Sequence, residues 1–263
     1  MKTRTVKRWT ALLFAGAFFF AQKGEIWKAK ADAPYGWAEM SAYTTYFNEK
    51  EKERVQNIEI ASRLIDGVTV QAYGEFSFNQ TVGRRTAEAG FKQAKIIVNG
   101  EYAVGVGGGV CQVSTTLYNA VLKAGLTVTE VHPHSLLVGY VAPSRDAMVS
   151  TGSDLCFFNP YDFPVYLSAK RFEGGIKIRF LGKNNGDRYE ITSKIVGEIP
   201  PPDPVVKLGD KDTVLREGRA GIQSEAYVER YRKGALLYKK RIRTDVYKPV
   251  QGVIVKKNAN SDE

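Results

Sequence analysis

Apolar residues recur at helical spacing in two stretches of the chain. Val55, Ile58, Ala61 and Ile65 predict a helix over 51–65, ended by the turn chemistry of Asp66-Gly67. Val113, Leu117, Ala120, Val121 and Ala124 predict a second helix that opens at Cys111 and stops at Gly125. Elsewhere the period is shorter. Residues 68–70 are strand-like, and "AKIIVNGEYAVGVGGG" predicts a hairpin turned at Asn99-Gly100. "LTVTEVH", "LLVGYV", "AMVST", "DLCFFN", "PVYLSAKRF" and "GGIKIRFLG" read as further strands, and "GEFSFNQTVGRRTAEAGF" reads as turns. The fold class expected is α+β, with one or two helices packed on a mostly antiparallel sheet. Past Asn184, "EIPPPDPVVK" is a semi-rigid joint. The alternating pattern over 213–255 then predicts a small elongated all-β module, followed by the loose tail "NANSDE".

Composition changes this picture mainly at the N-terminus. Lys2, Arg4, Lys7 and Arg8 precede the apolar run "WTALLFAGAFFFA", the pattern of an export signal over residues 1–31. Left uncleaved, it would be the one route to membrane association, since no apolar run reaches the ~18 residues of a spanning helix. Residues 1–31 carry seven Lys/Arg and one Glu, and so hold six of the ten formal positive charges. The remaining charge is mild and suits an anionic envelope surface. No basic stripe interleaved with aromatics and no nucleic-acid motif occurs, so nucleic acid is not an expected partner.

The chemistry concentrates around Cys111. A cysteine at a helix N-terminus meets unpaired backbone N–H groups and the positive end of the macrodipole, both of which favour the thiolate. Gly108 and Gly109 just upstream permit positive φ and close approach of a substrate backbone. These residues suit a nucleophile, or a small buried side chain at a tight turn. The chain's two histidines, His132 and His134, flank Pro133 and are the available bases; on a strand both would face one side. Asp146 is the nearest carboxylate to orient an imidazole, and Arg145 beside it is suited to hold a substrate carboxylate. Gln112 and Ser114, in the first turn beyond Cys111, would line the pocket, though Ser114 is equally an ordinary exposed helix position. With no second ligand cluster, no metal and no cofactor is expected. Cys111 and Cys156 lie 45 residues apart without C-x-x-C spacing, which weakens a thiol-redox role but leaves a disulfide open.

"YGEFSFNQTVGRRT", "GVGGGVCQVSTTLYNAVLKAGL" and "HPHSLLVGYVAPSRDAMV", in that order and spacing, resemble the VanW family of exported bacterial proteins over residues 41–183. The segment "REGRAGIQSEAYVERYRKGALLYKKRIRTDVYKP", within 187–257, resembles a G-five module, a cell-wall-associated β unit thought to bind N-acetylglucosamine. Some VanW-domain proteins are associated with L,D-transpeptidase activity, which joins peptidoglycan stems through a cysteine acyl-enzyme. The resemblance thus implies a secreted, cell-wall protein whose partners are stem peptides and glycan. By position it makes Cys111 the nucleophile and His134 the base, with Ser135 beside it at the substrate. Asp146 or a backbone carbonyl would orient the ring. The rival expectation is a non-catalytic wall-binding protein with Cys111 buried as a packing residue.

Overall fold

The structure, a computed structural model, describes residues 37–98, 100–183 and 185–258. The expected export signal and Asn99 at the hairpin turn lie outside the described residues. In chain order, β1 (Ala38–Tyr46) leads into α1 (Lys52–Ile65), then β2 (Thr69–Val70), β3 (Glu75–Ser77) and the short α2 (Phe78–Val82). The hairpin β4 (Gln93–Val98) and β5 (Glu101–Val106) runs into α3 (Val110–Lys123). After it come β6 (Thr127–Glu130), β7 (Cys156–Phe158), β8 (Val165–Phe172) and β9 (Gly175–Gly182). The remainder is β10 (Asp187–Ile199), β11 (Val205–Gly209), β12 (Thr213–Arg216), β13 (Gly221–Arg232), β14 (Ala235–Tyr247) and β15 (Val253–Lys257). The fold is α+β, with mostly antiparallel pairing; β11 and β15 pair in parallel.

The two helices read from periodicity form where expected. α1 buries Val55, Ile58, Ala61 and Ile65 along one stripe. α3 is buried on nearly every side, from Val110 through Leu122 with Cys111 half-buried, so it is a core helix rather than a surface one. It lies against α1, the four-stranded sheet β1–β9–β8–β2, and β10 of the three-stranded sheet β10–β13–β14. Its apolar residues join Ile176, Ile178, Phe180 and Phe157 in one core, on which Ile191 and Ile242 also pack.

Three expectations need correction. The lead into α1, to which the apolar pattern assigns no element, forms an edge strand over residues 38–46 paired along its length with β9. "LLVGYV" is a run of bends and turns, and "AMVST" contributes only an isolated bridge, Met148 to His132. Within the turn-rich 74–91 stretch, a short strand and α2 form because Ser77 caps the Gln80 N–H while Asp154 accepts from Ser77 Oγ and the Asn79 N–H.

The junction between hairpin and α3 is tightly built. Asn57 on α1 is fully buried and donates through Nδ2 to the Gly108 and Lys92 carbonyls, 2.9 Å each. Gly109 has φ +104°, a conformation that L side chains rarely adopt. A Cβ on Gly108 would stand 2.6 Å from the Lys95 carbonyl oxygen and 2.8 Å from the Ala94 carbonyl carbon, backbone that cannot rotate aside. Gly108→Ala should therefore force the hairpin off α3 and cost about 1–3 kcal/mol, the range of overpacking in a filled core. The check is urea denaturation: a lowered midpoint at unchanged slope is expected, and an unchanged midpoint would show that the hairpin does not press on this turn.

Candidate active site

Cys111 is the second residue of α3, directly after the left-handed N-cap Gly109 and Val110. Its thiol donates to the Val149 carbonyl at 3.4 Å, and the His134 ring acts on it electrostatically. His134 Nδ1 lies 2.6 Å from Asp146 Oδ2, and the same oxygen accepts the His134 backbone N–H at 2.7 Å. The carboxylate thereby fixes the ring's orientation and leaves Nε2 for the thiol. His134 is 6% exposed and Asp146 1%, so little water competes for these bonds. Cys111, His134 and Asp146 are thereby brought together in the order thiol, imidazole, carboxylate.

Electrostatics push the three groups apart in charge. Burial resists ionisation of Cys111, but the interaction with His134, through hydrogen bonding and charge, and the charge of Arg85 outweigh it and lower the thiol pKa. Burial likewise resists the imidazolium, yet hydrogen bonds to Asp146 and Cys111 lift His134 to about 9. Asp146 is held below the ordinary carboxylate range: burial opposes this, and His134 and Tyr247 overcome it. The Cys111 and His134 shifts both run in the direction that favours a thiolate–imidazolium pair over the neutral pair. Cys156 is the opposite case. Burial and the Asp154 and Glu130 carboxylates push its thiol up to about 12. Both cysteines are free, with no disulfide between them.

His134, Cys111 and Gln112 open onto a cavity of about 1050 Å³ between α3, the β4–β5 hairpin and the 134–151 loops. Gly108 and Gly109 also line it. Gln112 is a wall piece rather than a free ligand: Nε2 donates to Thr45 Oγ1 and the Tyr46 carbonyl, and Oε1 accepts from Arg54 at 2.5 Å. Other predicted site residues fall elsewhere. Ser114 is fully buried and donates to the Ala147 carbonyl at 2.6 Å, so it is neither exposed nor in the cavity. Arg145 does not face the cavity; its Nε is spent on Asn119 Oδ1 at 2.9 Å and its guanidinium lies over the Tyr43 ring. Ser135 is held through its carbonyl by the Lys248 N–H and is not in the cavity wall. His132 pairs with Glu130 at 2.9 Å and does not line the cavity; strand pairing here is limited to its isolated bridge with Met148, so the two histidines do not share a strand face. Among the described residues no group of His, Cys, Asp and Glu is arranged to hold a metal ion.

Four residues that the sequence did not single out complete the site. Arg85, bound through Nη1 to Asn79 Oδ1 and the Gly83 carbonyl, lines the cavity, and its charge acts on Cys111. The "GRR" around it gave a basic signal, but nothing local tied it to Cys111. Tyr140 lines the cavity, and burial raises its pKa. Tyr247 and Arg243 reach Asp146 from about a hundred residues away, with no local signal to find them.

Residues 53–181 match the family model described as VanW like protein. The chain is 48% identical over 141 residues to "Uncharacterized protein YoaR" of Bacillus subtilis, a match covering 53% of this chain and 46% of that protein. It is 26% identical over 189 residues to "Vancomycin B-type resistance protein VanW" of Enterococcus faecalis, covering 68% of this chain and 62% of that protein. The chain thus spans less than two thirds of the length of either of these curated relatives. A solved structure, "Crystal structure of HP0197-G5", aligns with 27% of this chain and 93% of its own at 16% identity and a TM-score of 0.17. Among the described residues no helix is long and apolar enough to cross a membrane.

The pair makes stability pH-dependent in a defined direction. The His134 pKa is higher folded, about 9, than its ordinary 6.5, so the stability it supplies is complete below 6.5 and is lost as pH rises through 9. Asp146→Asn strips the imidazolium of its carboxylate. It should cost about 3–5 kcal/mol near pH 6, the range for breaking a buried ion pair, and distinctly less near pH 9.5. Thermal melts of wild type and variant at the two pH values read this out. An equal loss at both would show that His134 is neutral throughout.

Proposed function

We propose that this chain, a member of the VanW-like family through residues 53–181, is an exported cell-wall cysteine acyltransferase that cross-links peptidoglycan stem peptides in the L,D manner. The observation that carries the reading is the buried Cys111–His134–Asp146 constellation opening onto a cavity. Cys111 Sγ attacks the donor carbonyl. The Cys111 N–H, between the Val110 and Gln112 N–H groups that are spent on the Gly107 and Gly109 carbonyls, is the donor assigned to the developing oxyanion. His134 Nε2 gives its proton to the leaving amine, the C–N bond breaks, and a thioester remains on Cys111. A second stem's amine then attacks the thioester, His134 takes its proton, and the thiolate leaves. One amide is broken and one made, with no outside oxidant or reductant. If water replaces the amine, the same site is an L,D-carboxypeptidase.

Arg85 takes over the role first expected of Arg145: its guanidinium lies in the cavity near the thiolate and suits a donor carboxylate. Residues 187–257, the G-five-like segment, are the proposed glycan contact.

The test uses disaccharide-tetrapeptide fragments with wild type and Cys111→Ala, and product analysis by mass spectrometry. Wild type should form a dimer lacking one D-alanine, or release D-alanine without a dimer. Cys111→Ala should do neither, and His134→Ala should fall by about 10²–10⁴-fold. Bound but unaltered fragments in all cases would overturn catalysis in favour of a binding protein.

A further inference from the structure

Asp146 is held from two directions. From its own loop, His134 occupies Oδ2 through both its backbone N–H and Nδ1. From β14, Tyr247 donates its hydroxyl to Asp146 Oδ1 at 2.5 Å. The Tyr247 oxygen itself accepts the Ser144 N–H at 2.7 Å, which leaves the phenol proton for the carboxylate. Arg243, also on β14, donates through Nη1 to the Asp146 carbonyl at 2.5 Å. Asp245 aligns that guanidinium, accepting from Nε at 2.9 Å. Arg243 Nη2 lies 2.9 Å from Asp245 and 3.8 Å from Asp146 Oδ1 without a well-aligned hydrogen bond, so it adds charge rather than direction. Tyr247 is 1% exposed, so water cannot stand in for its hydroxyl.

We propose that Tyr247 and Arg243 are positioning residues for the Cys111–His134–Asp146 site, which makes the C-terminal β10–β13–β14 sheet a working part of the active site. The inference rests on the acyl-transfer reading for its chemistry, but not for its geometry. A docking interface needs only apolar contacts, and Ile191 and Ile242 already supply them. The polar contacts converge instead on the one carboxylate that orients the base. Both residues lie more than 60 positions beyond residue 181, where the family match ends, so the matched segment alone does not contain its complete site. The charged and titratable groups facing Asp146 are His134, Tyr247, Arg243, Asp245, Tyr118 and Tyr140; those facing Cys111 are His134, Arg85 and Tyr140. Loss of the Tyr247 proton leaves Oδ1 buried without an aligned donor. The carboxylate is then free to turn from Nδ1, the imidazolium loses its anchor, and the thiolate loses its counter-ion.

The test is the pH profile of Cys111 alkylation by iodoacetamide in the full chain, read by peptide mass spectrometry. Wild type should show a midpoint below the ordinary thiol value of about 8.5. Tyr247→Phe should raise that midpoint by about one pH unit, a tenfold loss of rate in the acid range. Arg243→Lys, which keeps the charge but not the fork, should shift it the same way and serves if Tyr247→Phe does not fold. Ser224→Ala cuts the neighbouring contact to Ser144 Oγ without touching Asp146, and should lower the melting temperature while leaving the midpoint in place. A depressed wild-type midpoint that neither variant moves would overturn this inference alone. An ordinary wild-type midpoint would overturn the thiolate–imidazolium pair and the acyl-transfer reading with it.

Discussion

The structure depends on how α3 satisfies its buried polar residues. Gln112, Ser114, Thr115, Thr116 and Asn119 are all essentially inaccessible to water, and an unpaired polar group there would cost about 1–3 kcal/mol. Each has a partner in a different element. Thr116 and Gln112 bind Thr45 on β1, while Ser114 and Thr115 clamp the Ala147 carbonyl and N–H. Asn119 takes the Arg145 carbonyl and guanidinium. The loop 145–147 is thereby fastened to the helix that starts at Cys111. Asp146 sits in the middle of that fastened loop, and its carboxylate holds His134 through the backbone N–H and Nδ1. The polar side of one core helix thus sets the distance between nucleophile and base.

The same scaffold gives its two cysteines opposite characters. Cys111 faces His134 and Arg85, whereas Cys156 faces Asp154 and Glu130. One site lowers a thiol pKa and the other raises it, by charge neighbours acting on similar sulfur atoms. The export setting proposed for the chain would make a reactive free thiol unusual, and the rigid pairing of Cys111 gives a physical reason for keeping one.

Periodic signals were legible and buried hydroxyls were not. α1, α3 and β13 follow from apolar spacing, because each buries a continuous stripe or an alternate face, and the hairpin and β14 follow from strand-forming residues although both stay largely exposed. β1 escaped because its fully inward positions are Ser41 and Thr45, which hydrogen-bond to Ala120 and Thr116 on α3 and leave no apolar alternation to read. "LLVGYV" misled for the reverse reason: Leu137 and Val138 are apolar because they line the cavity, not because they lie in a strand. Cys111, His134 and Asp146 were legible as chemistry, and the resemblance of the surrounding motifs chose between the two histidines. Arg145 misled because a guanidinium next to a candidate carboxylate reads alike whether it binds substrate or, as here, Asn119. Nothing local ties Tyr247 or Arg243 to Asp146; only the packing of β14 over the loop does.

The central claim is that a carboxylate-anchored imidazolium stands beside Cys111 at neutral pH. Nitrogen NMR of the histidine rings tests it most directly, since the chain has two histidines and His132→Asn assigns the remaining signals to His134. The account predicts both His134 ring nitrogens protonated through neutral pH, with the transition near about 9. A transition at the ordinary value of about 6.5 would contradict it.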